Sequence, residues 1–384
     1  LERAITTDPD HALAHLDLRQ RYNELPDTER ALEHLRRSAE LDPTDVETWI
    51  ELTGVLEQSN RESEAIEALR QGFAADPHHP GLHLEGAKLE RRRNDPAAAI
   101  RRLKPLDTRG MPPRVAQQYL FELGLNLDRD GQADAAVDAF SRGNALARQG
   151  VRSRSTDPAA FERRCAALET WLDAGCPGAE PGPGEPSDGE TLCFLVGFPR
   201  SGTTLVDTTL ATSPAVDALE EPPTLDLVIR AHEGATPPYP MALATLGADD
   251  VNRHRSTYSS AVNRLLGRDP SGLLIDKMPL RFLHAGLIRR LFPAAKMVFV
   301  ARHPCDVVLS NFMQQYAVNE TNIHFDTLAT AAATYTRIMG LWSRLRERLA
   351  PSCLDVRYED LVADLPAALA PVCDHLGIDV RSVS

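Results

Sequence analysis

The chain has 384 residues, 42% apolar and 25% charged, about twice a common domain, which excludes a single small module, a disordered polymer and a collagen-like fibre. Lys and Arg number 42 against 55 Asp and Glu, a formal charge of −13, so duplex nucleic acid is excluded as the main partner and any anion site has to be local. Cys165, Cys176, Cys193, Cys305, Cys353 and Cys373 form no CxxC pair, which points to a reducing, cytoplasmic setting rather than a disulfide framework or zinc knuckle, and no apolar run approaches the ~18 residues of a membrane span.

Asp8-Pro9, Asp42-Pro43 and Asp76-Pro77 recur every 34 residues. Between the last two pairs, Trp49, Leu52, Leu56, Ala65 and Leu69 alternate large and small side chains, and a later copy (Leu123-Gly124, Leu127, Ala136, Phe140) arrives three residues late. A fixed period of this length is the mark of a stacked repeat whose helix pairs cannot bury their apolar faces alone. The stretch from about residue 1 to 147 resembles tetratricopeptide proteins, which implies an α-solenoid with a concave groove of the kind that holds peptides. A solenoid that only packs on its neighbour, or that makes a homodimer, is the alternative.

Asp157 followed by Pro158 predicts a capped helix start, with Phe161, Cys165, Leu168 and Leu172 on one face. This helix is expected to cap the solenoid, so the first domain is drawn as 1–174. Gly and Pro dominate from Gly175 to Gly189 and can sustain neither a helix nor a central strand, so 175–190 is read as a linker. The second domain, 191–384, changes grammar: apolar runs at Leu192 to Val196, Leu273 to Ile275, Met297 to Ala301 and Leu354 to Val356 alternate with helical stretches. Unbroken apolar runs suit strands buried on both faces, so the fold class is an α-solenoid followed by a P-loop-like α/β domain with a parallel sheet, its ligand at the strands' C-terminal ends.

The first run ends in Gly197-Phe198-Pro199-Arg200-Ser201-Gly202-Thr203-Thr204. A glycine-bearing turn between strand and helix aims main-chain N–H groups at an anion. Thr203 stands where a nucleoside-triphosphatase loop needs lysine, which argues against an ATPase or kinase. Residues 191 to 378 resemble the sulfotransferases that use 3′-phosphoadenosine 5′-phosphosulfate (PAPS), whose 5′-phosphosulfate loop reads like Pro199 to Thr204. The resemblance assigns Arg200, Ser201, Gly202, Thr203 and Thr204 to the donor. It matches Arg302, after the run Val298 to Ala301, and Ser310, eight residues on, to a 3′-phosphate clamp, and it carries Tyr358 of Arg357-Tyr358-Glu359-Asp360 over as a nucleotide contact.

The histidine base of cytosolic members is replaced by Ile275-Asp276-Lys277-Met278-Pro279, so the resemblance is closer to tyrosylprotein sulfotransferases. It then implies Glu221 as general base, with Glu220 as fallback, and Lys277 beside Arg200 on the bridging oxygen. Protein tyrosine is one candidate acceptor, although Pro222-Pro223-Thr224-Leu225 departs from the arginine-bearing stretch that helps those enzymes hold acidic peptides. No metal is implied. The family's Gly- and basic-rich lid is not written before Ser384, which predicts weaker nucleotide binding. The rival reading is an interaction protein in which the solenoid works and the nucleotide fold is inactive.

Overall fold

The computed structural model describes residues 28–150, 155–182, 191–232 and 234–383. Its backbone contacts form two units, one within 1–155 joined by 313–318, the other made of 156–312 and 319–384.

The first unit is helical throughout its described elements. Helices Val46–Gln58 and Glu62–Ala75 pair, as do Pro80–Arg92 with Pro96–Leu103 and Pro113–Arg129 with Ala133–Gln149. The repeated Asp-Pro dipeptides make the turns between pairs: Asp42 Oδ1 accepts the Thr44 N–H at 3.1 Å and Asp76 Oδ1 accepts the His78 N–H at 2.9 Å, the side-chain turn chemistry for which Asp is selected. Asp8-Pro9 lies outside the described residues. Leu32, Leu35, Leu52, Leu56, Ala65, Leu69 and Leu82 interlock between successive pairs. At Gly124 a Cβ would stand 2.7 Å from the Phe140 ring, so small and large residues are matched across the last pair. The three-residue delay of that copy has a local cause: the helix Pro96–Leu103 stops early and a 3₁₀ turn at Thr108–Gly110 intervenes before Pro113. The tetratricopeptide-like solenoid expected from the repeats is therefore present.

The second unit is built on five parallel strands, β1 (Leu192–Gly197), β2 (Val216–Glu220), β3 (Leu273–Lys277), β4 (Lys296–Ala301) and β5 (Cys353–Arg357), in the order β2-β3-β1-β4-β5. One sheet face buries Cys193, Leu195, Ile275, Val298 and Val300 against the helices Thr203–Leu210 and Leu365–Leu376. On β4, Phe299 stacks on Trp342 of the helix Leu328–Leu349, with ring centroids 5.3 Å apart. After β1 the chain leaves toward β2, and after β4 toward β5, so the crevice where a parallel sheet binds ligands opens beyond the C-terminal ends of β1 and β4. Among the described residues no helix is long and apolar enough to cross a membrane.

The helix Pro158–Asp173 forms as expected, capped by Asp157, whose Oδ1 accepts the Ala159 N–H at 2.9 Å, and buries Phe161, Cys165, Leu168 and Leu172. The sequence reading gave it to the solenoid. Its contacts place it in the second unit instead, where Arg337 of the helix Leu328–Leu349 bonds to Glu169 at 2.8 Å and Arg344 to Asp173 at 2.5 Å. A stripe of apolar residues states that a face is covered, not what covers it.

The Gly/Pro stretch also differs from a free linker over its described half. Cys176 and Ala179 are buried, Gly182 N–H donates to the Arg290 carbonyl at 3.0 Å, and a Cβ at Gly178 would lie 2.2 Å from the Leu243 carbonyl carbon. Here glycine is required by close backbone approach; residues 183–190 lie outside the described residues.

Candidate active site

Gly197 closes β1 beside β4, where a Cβ would meet the Val300 carbonyl oxygen at 2.6 Å. The chain then turns through Arg200 at φ +71° and Gly202 at φ +97°, and the helix Thr203–Leu210 begins. Tyr358 packs on the open side of Gly202, where a Cβ would stand 2.3 Å from its ring. Any side chain at this position therefore meets both a backbone penalty and a clash. The first N–H groups of a helix have no acceptor within it, so the turn presents main-chain donors beside Thr204, an exposed residue.

Three predicted cation and hydroxyl groups meet at this turn. Arg200 Nε donates to Ser310 Oγ at 3.2 Å, and Arg302 Nη1 donates to the Arg200 carbonyl at 3.1 Å. Asn311 Nδ2 adds a 2.9 Å bond to the Pro199 carbonyl. The Arg302 guanidinium lies 4.6 Å from the Tyr358 ring centroid, a cation–π contact that also orients the arginine. Tyr358 thus braces both the loop and Arg302. Glu359, beside it, accepts the His303 N–H at 2.8 Å ahead of the helix Pro304–Phe312, and that bond holds its carboxyl below the ordinary value.

On the other flank of β1, the register sets Glu220 of β2 opposite Lys277 of β3. Lys277 is 0% exposed, and a buried ammonium survives only when paired. Its Nζ donates to Glu220 Oε1 at 2.8 Å, to Glu221 Oε1 at 3.4 Å and to Thr204 Oγ1 at 3.3 Å. One buried cation therefore bridges the turn after β1 and the acidic pair, while both glutamate side chains stay more than half exposed. Glu221 has a left-handed φ of +47° and donates its N–H to the Lys277 carbonyl at 2.7 Å.

A group that the sequence reading missed stands beside this bridge. Asp207, on the helix Thr203–Leu210, is buried with no partner for Oδ1. Burial pushes its carboxyl up to about 6, the Lys277 charge opposing and Glu220 adding to the rise. Sequence spacing alone puts Thr204 and Asp207, three apart, on one helical face, without showing that Asp207 is buried. Among the described residues, no group of three or more His, Cys, Asp or Glu side chains is placed to share a metal ion.

Residues 193–382 match the model described as the sulfotransferase family. The second unit carries a sulfotransferase-family domain. Among curated proteins, an uncharacterized protein of Aquifex aeolicus is 26% identical over 306 residues, covering 77% of this chain and 38% of that one. Nodulation protein NoeE of Sinorhizobium fredii is 28% identical over 215 residues, covering 50% of this chain and 51% of that protein. The chain spans about half or less of the length of these relatives. Among solved structures, sulfotransferase STF9 from Mycobacterium avium is similar over 75% of this chain and 84% of its own, at 13% identity and a TM-score of 0.34. MamA is similar over 38% of this chain and 83% of its own, at 20% identity and a TM-score of 0.32.

Proposed function

We propose that the sulfotransferase-family domain moves a sulfuryl group from PAPS to a hydroxyl acceptor. The observation that carries this reading is the bridge made by Lys277 Nζ, at once 3.3 Å from Thr204 Oγ1 in the anion-type turn and 2.8 and 3.4 Å from two carboxylates. In this reading, one ammonium stands between the anion donor and the base.

In this reading the turn from Arg200 to Thr204 holds the 5′-phosphosulfate through main-chain N–H groups and the Thr204 hydroxyl, while Arg302 and Ser310 take the 3′-phosphate. Arg302 suits that role because a guanidinium presents two parallel donors to a phosphate. Glu221 accepts the acceptor's proton as the new S–O bond forms. The bond from sulfur to the bridging oxygen breaks, and that oxygen leaves on adenosine 3′,5′-bisphosphate, its growing charge met by Arg200 and Lys277. No metal takes part in these steps. The solenoid is the proposed holder of a peptide or protein acceptor, with protein tyrosine one candidate hydroxyl.

The test is transfer of labelled sulfate from PAPS to a panel of tyrosine peptides, glycans and small alcohols. Labelled product with PAPS is the expected result. Absence of product with every acceptor, together with a thermal shift from Mg²⁺–ATP, would assign the turn to a nucleoside triphosphatase instead.

A further inference from the structure

The strand that delivers Lys277 is followed by an arginine that the reaction above does not use. Arg281 lies in the 3₁₀ turn Pro279–His284, with its side chain 1% exposed. Its Nη1 donates to Asp226 Oδ2 at 2.9 Å and its Nη2 to the Pro222 carbonyl at 2.7 Å. The same Nη2 is 3.7 Å from Oδ1 of Asp276, a fully buried carboxyl on β3 whose Oδ2 accepts Thr224 Oγ1 at 2.6 Å and Tyr258 OH at 2.9 Å.

Burying a guanidinium and a carboxyl is costly unless each is well paired, and apolar side chains serve stability as well or better. The charge therefore calls for a reason beyond packing, and its target supplies one. Pro222 and Pro223 have no N–H, so a hydrogen bond to either of these two residues has to be made to its carbonyl. Glu221 itself is a non-glycine residue at φ +47°, a conformation that persists only where the surroundings impose it. The Lys277 carbonyl fixes this segment from one side, through the Glu221 N–H at 2.7 Å, and Arg281 fixes it from the other.

We propose that Arg281, seated on Asp276, is a positioning residue that holds the Glu221–Pro222 turn so that the Glu221 carboxylate stays beside Lys277. This inference rests on the reading of Glu221 as the base. It assigns Asp276 and Lys277, adjacent on β3, to separate tasks: one anchors the turn of the base, the other carries the charge that faces the reacting group.

The experiment is a double-mutant cycle on the full chain, with Arg281→Met and Arg281→Lys introduced in the wild type and in Glu221→Gln, reading kcat and KM for PAPS together with the affinity for adenosine 3′,5′-bisphosphate. A displacement of about 1 Å at a reacting group can cost about 10²-fold, so Arg281→Met should lower kcat by about 10-fold or more in the wild type. Bisphosphate affinity should stay within about twofold and Arg281→Lys should recover part of the rate, because an ammonium can still bond one carbonyl. In the Glu221→Gln background, Arg281→Met should cost almost nothing further, as expected of residues acting through one another. Should Arg281→Met fail to fold, Asp226→Asn, which loosens the guanidinium from its partly exposed side, enters the same cycle with the same expected pattern. Equal losses in both backgrounds, or no loss in either, overturn the inference while leaving the sulfotransferase reading intact. A wild-type protein that transfers no sulfate overturns both.

Discussion

Lys277→Met is expected to lower turnover by at least about 10²-fold, the scale on which a preorganised donor to a developing charge acts. The substitution keeps the length and buries well, so the loss isolates the ammonium. Two consequences follow from one missing charge. The bridging oxygen loses the cation that would meet it, and Glu220 and Glu221, bonded to Nζ at 2.8 and 3.4 Å, are left as neighbouring carboxylates with nothing between them. Affinity for adenosine 3′,5′-bisphosphate should fall less than kcat, because the turn and the Arg302–Ser310 side remain. Initial rates with labelled PAPS and calorimetry on the same variant measure the two effects separately. A variant that keeps wild-type turnover removes Lys277 from the chemistry.

Glu221→Gln is the second large effect. A positioned base contributes about 10² to 10⁴-fold, and glutamine keeps the shape and the main-chain bond to the Lys277 carbonyl while removing the proton acceptor. The expected outcome is a loss of kcat within that range, with bisphosphate affinity nearly unchanged. Glu220→Gln should cost far less, since Glu220 is the nearer partner of Lys277 and serves to hold it. The pair of variants decides between the two carboxylates: a larger loss in Glu220→Gln moves the base by one residue along the strand end.

What could be read from the sequence and what could not divide along a physical line. β1, β3 and β4 appear as apolar runs because the sheet is buried along them, β5 shows more weakly as an edge strand whose Asp355 and Arg357 are exposed, and the turn after β1 is written in eight consecutive residues, so no tertiary knowledge was needed to find it. β2 escaped notice. Val216–Glu220 is an edge strand whose buried positions include Asp217, held by Arg268 and by the Ser271 N–H at 2.8 Å, so its charge hid its burial. The contact between Glu220 and Lys277 is set by the pairing of β2 with β3 across 57 residues of chain, which no local pattern announces. Asp207 and Arg281 were passed over for a related reason: each carries one charge in an otherwise ordinary stretch, and only the fold shows that both are buried beside the machinery. The helix Pro158–Asp173 teaches the complementary lesson, since its cap and apolar face were written plainly while its partner was not.

The most direct test of the central claim, that the turn after β1 grips a sulfonated adenine nucleotide, is a calorimetric titration of adenosine 3′,5′-bisphosphate into the full chain and into Arg200→Ala. The account predicts saturable one-site binding to the wild type, lost or sharply weakened in the variant. No heat of binding in the wild type, or equal binding by both proteins, would contradict it.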